Sequence, residues 1–449
     1  MSDLIISVSG LRGIVGESLT PENATRYAAA FASTCPASRP IIVGRDGRST
    51  GPMLRSAVIA GITAAGRNAI DVDVAATPTI GVLVKNRGAA GAVQITASHN
   101  PPPYNGIKLF GEDGRVIGNR GDDVTRRYHA GDVGYVTHQT IGTIDRDDDP
   151  HSPHLESVLD TVDMIAIRKA APKVLLDANH GSGGILGRRL LESLGCNVVC
   201  LGEEPNGQFV HPPEPTAANL RDVGAEVVAA GCAMGLCQDP DADRLALIDE
   251  TGRYIGEECT LALCVQRILS NPATRGPIVI NAATSSMSER IAQKYNVGCH
   301  RSSVGEANVA DLMIEVGAAY GGEGNGGPID PAVGYVRDSF VAMAQIIDAM
   351  VRSGEPLSSM ATSLPASSMH KSKVSVEGKS IPDLIETIGR TFSDAEADAS
   401  DGLRLRWDDR WLLVRASNTE PIIRFIAEAP TPDQAQALCD QAERTATAS

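Results

Sequence analysis

A chain of 449 residues is too long for one hydrophobic core and predicts three or four domains of about 100 to 150 residues each. The formal net charge of -15 argues against a general nucleic-acid or anionic-membrane surface, and the nine cysteines, with no C-x-x-C pair and no clustering with histidine, indicate neither a disulfide framework nor a zinc site. Sparse aromatics (4%), plentiful glycine and ordinary apolar content suit α/β layers, and without a basic-then-apolar leader or a run of about 18 apolar residues a cytoplasmic protein is expected.

Near the start, Ser9-Gly10-Leu11-Arg12-Gly13 offers one candidate cation, Arg12. Three similar units follow. In the first, an apolar strand at 40–46 leads through Gly/Ser turn residues to a helix at about 52–65, a stop at Gly66 and a strand at 69–74. The same order recurs with a strand at 173–177, a glycine-rich turn at 180–184, a helix to 194, Gly195 and a strand at 197–201. It recurs again with 277–281, Thr284-Ser285-Ser286, a helix through 294 and Val297-Gly298 before the next strand. Strand, helix and strand in this order imply right-handed crossovers and a mostly parallel sheet in each unit.

Each unit then has a later apolar strand that ends in a polar loop. In the first, Ala92-Val93-Gln94-Ile95 runs into Thr96-Ala97-Ser98-His99-Asn100-Pro101, which exposes a serine where an α/β protein places a nucleophile. Such a serine is also a common turn former, but Asn105-Gly106-Ile107-Lys108 brings an ammonium back after a tight turn, within reach as a general acid or base. His99 can orient the serine or satisfy the loop backbone.

In the second unit, Asp239-Pro240-Asp241-Ala242-Asp243-Arg244 sets three carboxylates at alternate positions. In an extended loop they point the same way, and three such charges repel one another unless a cation joins them; oxygen-only ligands favour Mg²⁺. An EF-hand is excluded because its sixth loop position, a required glycine, is Arg244. Arg244 either serves the substrate or balances the loop's charge.

In the third, Gly322-Glu323-Gly324-Asn325-Gly326-Gly327 matches a G-x-G-x-x-G spacing, yet Pro328-Ile329-Asp330-Pro331 follows where a dinucleotide-binding helix must open. Glu323 and Asn325 can instead hydrogen-bond hydroxyls. Open α/β sheets bind ligands beyond the carboxyl ends of their strands, so the three loops can face one cleft.

A Ser- and Pro-containing stretch at 355–372 interrupts the rhythm and reads as a linker. The last unit has strand patterns around Leu403, Leu405, Trp407, at 412–414 and at 422–423, and Thr431-Pro432 opens a final helix. Arg415-Ala416-Ser417-Asn418-Thr419-Glu420-Pro421 with Arg424 places hydroxyls, N–H groups and two guanidinium groups around one turn, the chemistry of a phosphate cradle. The expected fold class is therefore three similar mixed, mostly parallel α/β domains (1–153, 154–254, 255–367) plus a C-terminal α+β domain (368–449) around a central cleft.

These five motifs, in this order, resemble the α-D-phosphohexomutase family of phosphoglucomutases, phosphomannomutases and phosphoglucosamine mutases, over essentially the whole chain. The resemblance implies that Ser98 is a phosphoserine and that Ser98, Asp239, Asp241 and Asp243 bind Mg²⁺. It implies Lys108 as general acid/base and Arg12 and Arg244 beside the transferring phosphoryl group. Glu323 would grip sugar hydroxyls, and Arg415, Ser417, Asn418, Thr419 and Arg424 would hold the other phosphate. Asn325 and Gly327 stand where many members carry serine and histidine. Residues 280–286, 303–306 and the glycine-rich loop look like an archaeal-type branch often assigned as phosphoglucosamine mutase or phosphoglucomutase, which favours glucosamine phosphate, with a phosphoglucomutase/phosphomannomutase as the alternative. The expected substrate is a hexose phosphate, interconverted through a hexose 1,6-bisphosphate by a monomer or homodimer. A phosphatase using the same phosphoserine, and a non-catalytic sugar-phosphate binder, are the alternatives.

Overall fold

The strand Ile41–Arg45 is buried along nearly its whole length, as a strand covered by helices on both faces must be. It is the parallel centre of the first sheet in the computed structural model, which describes residues 4–7, 10–377, 379–416 and 422–448. The seven strands lie in the order Ile5–Ser7, Gly10–Ile14, Tyr104–Phe110, Gly91–Ile95, Ile41–Arg45, Ala69–Val74 and Ile144–Arg146. Helices Pro21–Thr34 and Gly51–Ala64 cover one face, packing Ala28, Ala32, Leu54 and Val58 into one core. The small alanines let the two helices approach closely.

The second sheet runs Leu245–Asp249, Met234–Gln238, Lys173–Asp177, Asn197–Leu201, and the third runs Cys299–Ser302, Ile278–Asn281, Tyr320–Glu323, Gly327–Ile329. In all three the central strands pair in parallel, while the strand that follows the polar loop returns antiparallel. Each loop singled out in the sequence is thus the tip of an antiparallel hairpin at the same place in its sheet. The fourth sheet is antiparallel throughout and backed by helices Ile381–Thr391 and Pro432–Ala448. It docks on the third unit through Trp411 and Leu413 against Ala282.

Two expectations change. The Asn105-Gly106 pair is no turn but part of the strand Tyr104–Phe110, and the chain reverses earlier, where Tyr104 N–H donates to Pro101 O (3.0 Å). Gly106 serves close packing instead, since a Cβ there would sit 2.6 Å from Leu11 O and 2.7 Å from Thr96 O on the two flanking strands. The stretch read as a linker contains the helix Leu357–Thr362, anchored by a fully buried Leu357, and the first residues of the strand Ser368–Ser375. Its serines and prolines cap and bound these elements.

Candidate active site

Ser98 sits at the tip of the first hairpin with φ 49°, in the left-handed region, and is 3% exposed. Its N–H donates to Thr96 Oγ1 (2.8 Å), and its Oγ lies 2.8 Å from Asp239 Oδ2 and 3.2 Å from His99 Nδ1. Burial, then Arg244 and Arg12, push the His99 pKa down to about 3, so the ring is neutral and can exchange a hydrogen bond with the hydroxyl. Arg12, on the neighbouring strand, donates to Asn100 Oδ1 (2.6 Å).

The three aspartates converge, but not by strand alternation. Ala242 takes φ 57° and its N–H donates to Asp239 O (2.9 Å), so a tight turn brings the carboxylates together. One ligand atom from each lies within 4.8 Å of the others, and all three residues are fully buried. Three helices begin at this loop: Thr77 N–H donates to Asp241 O (2.9 Å), Ser182 N–H to Pro240 O (2.8 Å) and Ser339 N–H to Ala242 O (3.4 Å). Their positive ends offset part of the charge.

The Oδ2 atoms are held by the protein. Asp241 Oδ2 accepts from Thr77 Oγ1 (2.6 Å) and Lys108 Nζ (2.8 Å), and Asp243 Oδ2 accepts from Lys108 Nζ (2.8 Å) and Arg337 Nη2 (2.6 Å). Asp241 Oδ1 and Asp243 Oδ1 are buried and accept no hydrogen bond among the described residues. An orphaned carboxylate oxygen is costly, and two aimed into one acidic pocket fit a hard, oxygen-liganded cation. Burial, reinforced by Asp241 and Asp243, pushes the Asp239 carboxyl well up. Burial opposes the charge of the other two as well, but Lys108 outweighs it at Asp241 and Arg337 at Asp243, holding both below the ordinary range. Lys108 is disfavoured by burial yet held charged by Asp241 and Asp243.

A cleft of about 440 Å³ joins this centre to the other units: His99 and Arg244 at one end, Glu323 and Asn325 along the wall, Lys371 and Arg424 from the fourth unit. A larger hollow of about 650 Å³, beside Glu289 and Trp407, contains none of these groups. Volume alone does not select the site. Glu323 is saturated by protein donors, namely Asn281 Nδ2 (2.7 Å), Gly305 N–H (3.1 Å), Asn325 Nδ2 (3.3 Å) and Arg337 Nη1 (2.7 Å). Asn325 Oδ1, on that loop, is a buried acceptor without a hydrogen-bond partner among the described residues. Arg244 Nε is 3.7 Å from Asp243 Oδ1 and makes no hydrogen bond among the described residues. Arg415 does not line the cleft; its Nε donates to Asp401 Oδ1 (2.8 Å). Ser9, Ser417, Asn418 and Thr419 lie outside the described residues.

Several residues escaped the sequence reading. Arg337 bridges Asp243 and Glu323, joining the acidic loop to the glycine-rich one. Arg48 and Asp46 form a buried pair under the Ser98 loop. A buried chain, Thr79 Oγ1 to His154 Nδ1 (2.9 Å) and His154 Nε2 to Asp338 Oδ2 (2.7 Å), ties the first three units together. Their partners lie 75 and 184 residues away in sequence, so no local pattern announces them.

Glu258 lines the cleft with Oε2 accepting from Ser285 N–H (3.0 Å), and removal from water pushes its pKa up from the ordinary 4.5 to about 8. The folded chain therefore binds a proton that the unfolded chain releases above pH 4.5, and stability falls as pH rises from there to about 8. In calorimetry the Tm advantage of Glu258→Gln over wild type grows between pH 5 and pH 8; an advantage independent of pH contradicts this assignment.

Comparison with known proteins agrees with the geometry. Models of the phosphoglucomutase/phosphomannomutase α/β/α domains I, II and III match residues 4–132, 152–252 and 257–367, and the C-terminal domain model matches 371–445. A phosphoglucomutase/phosphomannomutase of Thermococcus kodakarensis is 36% identical over 439 residues, covering 95% of both chains. A protein of Methanopyrus kandleri named "Probable phosphoglucosamine mutase" is 33% identical over 436 residues, covering 96% of this chain and 95% of its own. The crystal structure of a phosphoglucomutase/phosphomannomutase family protein from Burkholderia thailandensis superposes with a TM-score of 0.87 at 26% identity, over 99% of this chain and 98% of that one. With all four domain models matched in order around one acidic, serine-bearing cleft, the chain belongs to the phosphoglucomutase/phosphomannomutase family and is a phosphohexomutase.

Proposed function

We propose that the chain interconverts hexosamine 6-phosphate and hexosamine 1-phosphate through a phosphorylated Ser98 and a 1,6-bisphosphate, as a phosphoglucosamine mutase. The observation that carries the chemistry is the 2.8 Å approach of Ser98 Oγ to Asp239 inside the acidic loop, at the end of a cleft that reaches the fourth unit. Glucosamine phosphate is supported by the phosphoglucosamine mutase names of the Methanopyrus relative and of further archaeal relatives, against the phosphoglucomutase/phosphomannomutase name of the Thermococcus kodakarensis relative at 36% identity.

In the first half-reaction a sugar hydroxyl attacks the phosphoryl group on Ser98; the bond to Oγ breaks as the new P–O bond forms. Lys108, charged and within 2.8 Å of both Asp241 and Asp243, would give a proton to Ser98 Oγ as the bond to phosphorus breaks and take the proton released by the sugar hydroxyl in its place. Arg12 and Arg244 would offset charge on the oxygens of the transferring phosphoryl group. Ser98, Asp239, Asp241 and Asp243 would hold Mg²⁺, which when bound offsets charge on the transferring phosphoryl group. Turning the bisphosphate over presents its second phosphate to Ser98, while Arg424, which lines the cleft, holds the phosphate that stays together with residues 417–419; Arg415, paired with Asp401, is not part of this grip. Either phosphate suits such a cradle, because guanidinium forks recognise the group and not its position on the sugar.

Turnover of glucosamine, glucose and mannose 6-phosphates by one preparation tests the substrate: glucosamine 6-phosphate gives the highest kcat/KM, and a preference for another sugar overturns it. Arg424→Ala raises KM for every substrate by about 10-fold or more, since a charge-assisted phosphate contact is worth about 1.5 to 3 kcal/mol. An unchanged KM contradicts the cradle.

A further inference from the structure

Ser98 and Asp239 belong to different units, so their 2.8 Å contact needs something to set the register between the two loops. We infer that Arg48 is a positioning residue for phosphoryl transfer: it locks the Ser98 turn and ties it, through a turn of the second unit, to the Asp239 loop. This rests on Ser98 being the nucleophile.

Arg48 is 2% exposed, and all five of its guanidinium N–H groups are spent on this task. Nη2 donates to Ser98 O and Asn100 O (both 2.6 Å), Nη1 donates to Pro101 O and Tyr104 O (both 3.0 Å), and Nε donates to Asp46 Oδ2 (3.2 Å). Asp46 Oδ2 also accepts from Thr96 Oγ1 (2.8 Å), the atom that accepts from Ser98 N–H (2.8 Å). The peptide groups on both sides of Ser98 are therefore pinned by one network, which holds the serine at its left-handed φ of 49°. That conformation is unfavourable for an L residue and persists only where the surroundings impose it.

The same turn touches the second unit. A Cβ on Gly47 would fall 2.3 Å from His180 O, and the Arg48 guanidinium lies 5.1 Å from the Phe209 ring centroid. One residue beyond His180, a Cβ on Gly181 would fall 2.6 Å from Pro240 O, the oxygen that accepts from Ser182 N–H (2.8 Å) and Oγ (3.1 Å). Pro240 stands between Asp239 and Asp241. A path of close contacts thus runs from the nucleophile's carbonyl through the Arg48 side chain, and then through backbone at Gly47, His180, Gly181 and Pro240, to the acidic loop. A lysine keeps the charge but has three rotating donors and no planar fork, so it cannot hold four carbonyls at once.

The test uses the full-length enzyme, with Arg48→Lys and Thr96→Val, assayed for kcat, KM, Tm and phosphate on Ser98 by peptide mass spectrometry. A misplacement of about 1 Å at a reacting group costs about 100-fold in rate, so Arg48→Lys loses about 100-fold in kcat while KM stays within about twofold and the protein remains folded. Thr96→Val, which removes a single hydroxyl, loses about 10-fold with KM likewise unmoved. Retained kcat in folded Arg48→Lys overturns the inference, as does a loss merely proportional to the unfolded fraction. If Arg48→Lys does not fold, wild-type kcat in Thr96→Val overturns it. Failure of the nucleophile itself would look different: an active wild-type enzyme carrying no phosphate on Ser98.

Discussion

Ser98→Ala abolishes net isomerisation, with kcat falling by at least about 10⁴-fold, the scale seen when a nucleophile is removed from an otherwise intact site. The change is small in volume and leaves the fold intact, because the Ser98 N–H and C=O bonds to Thr96 and Arg48 do not use the side chain. Only the Oγ contacts to Asp239 and His99 vanish. The variant should still bind hexose phosphate, since the fourth-unit cations Lys371 and Arg424 are untouched. Binding measured by calorimetry within about threefold of wild type, together with lost turnover, is the expected pair of results. Near-normal turnover would remove Ser98 from the reaction.

The second large effect concerns the cation. Chelation should abolish activity and Mg²⁺ should restore it, because Asp241 Oδ1 and Asp243 Oδ1 are buried acceptors that no donor among the described residues satisfies. Mg²⁺ at about 100 times its Kd should also stabilise the fold by about 2.7 kcal/mol, visible as a raised Tm that does not depend on catalysis. Asp241→Asn keeps the shape while removing a charge and weakening the hold on Lys108 and Thr77. Its Mg²⁺ requirement should rise by about 10- to 100-fold, and the Tm shift at the wild-type concentration should shrink accordingly. A Tm indifferent to Mg²⁺ in the wild type would contradict the metal assignment.

The residues legible in the sequence share one property: they sit in polar loops that abruptly end apolar strands. Ser98 after 92–95 and Asp239 after 233–237 stand out because polar, reactive side chains directly follow an apolar run; the sequence suggests an exposed serine, but the fold buries both residues between the units. The architecture was legible for the same reason, since strand, helix and strand signals repeat three times. Hairpin pairing was not, because Asn105-Gly106 has turn chemistry yet is held in a strand by tight contacts to two neighbours. Arg48, Arg337, Thr77 and His154 were invisible for another reason. Each sits in an unremarkable local sequence and gains its role from a partner 50 or more residues away or in another unit, such as Arg48 on Ser98, Thr77 on Asp241 or His154 on Asp338. Glu323 shows the opposite failure: its chemistry was plain, but three protein side chains and a backbone N–H already occupy its oxygens.

Enzyme phosphorylated on Ser98 with labelled phosphate, mixed with unlabelled hexose phosphate in a single turnover, tests the shared centre of these claims most directly. Label should leave the Ser98 peptide and appear in hexose bisphosphate and then in isomerised hexose monophosphate. Label released as inorganic phosphate without isomerised sugar would identify a phosphatase and contradict the mutase mechanism.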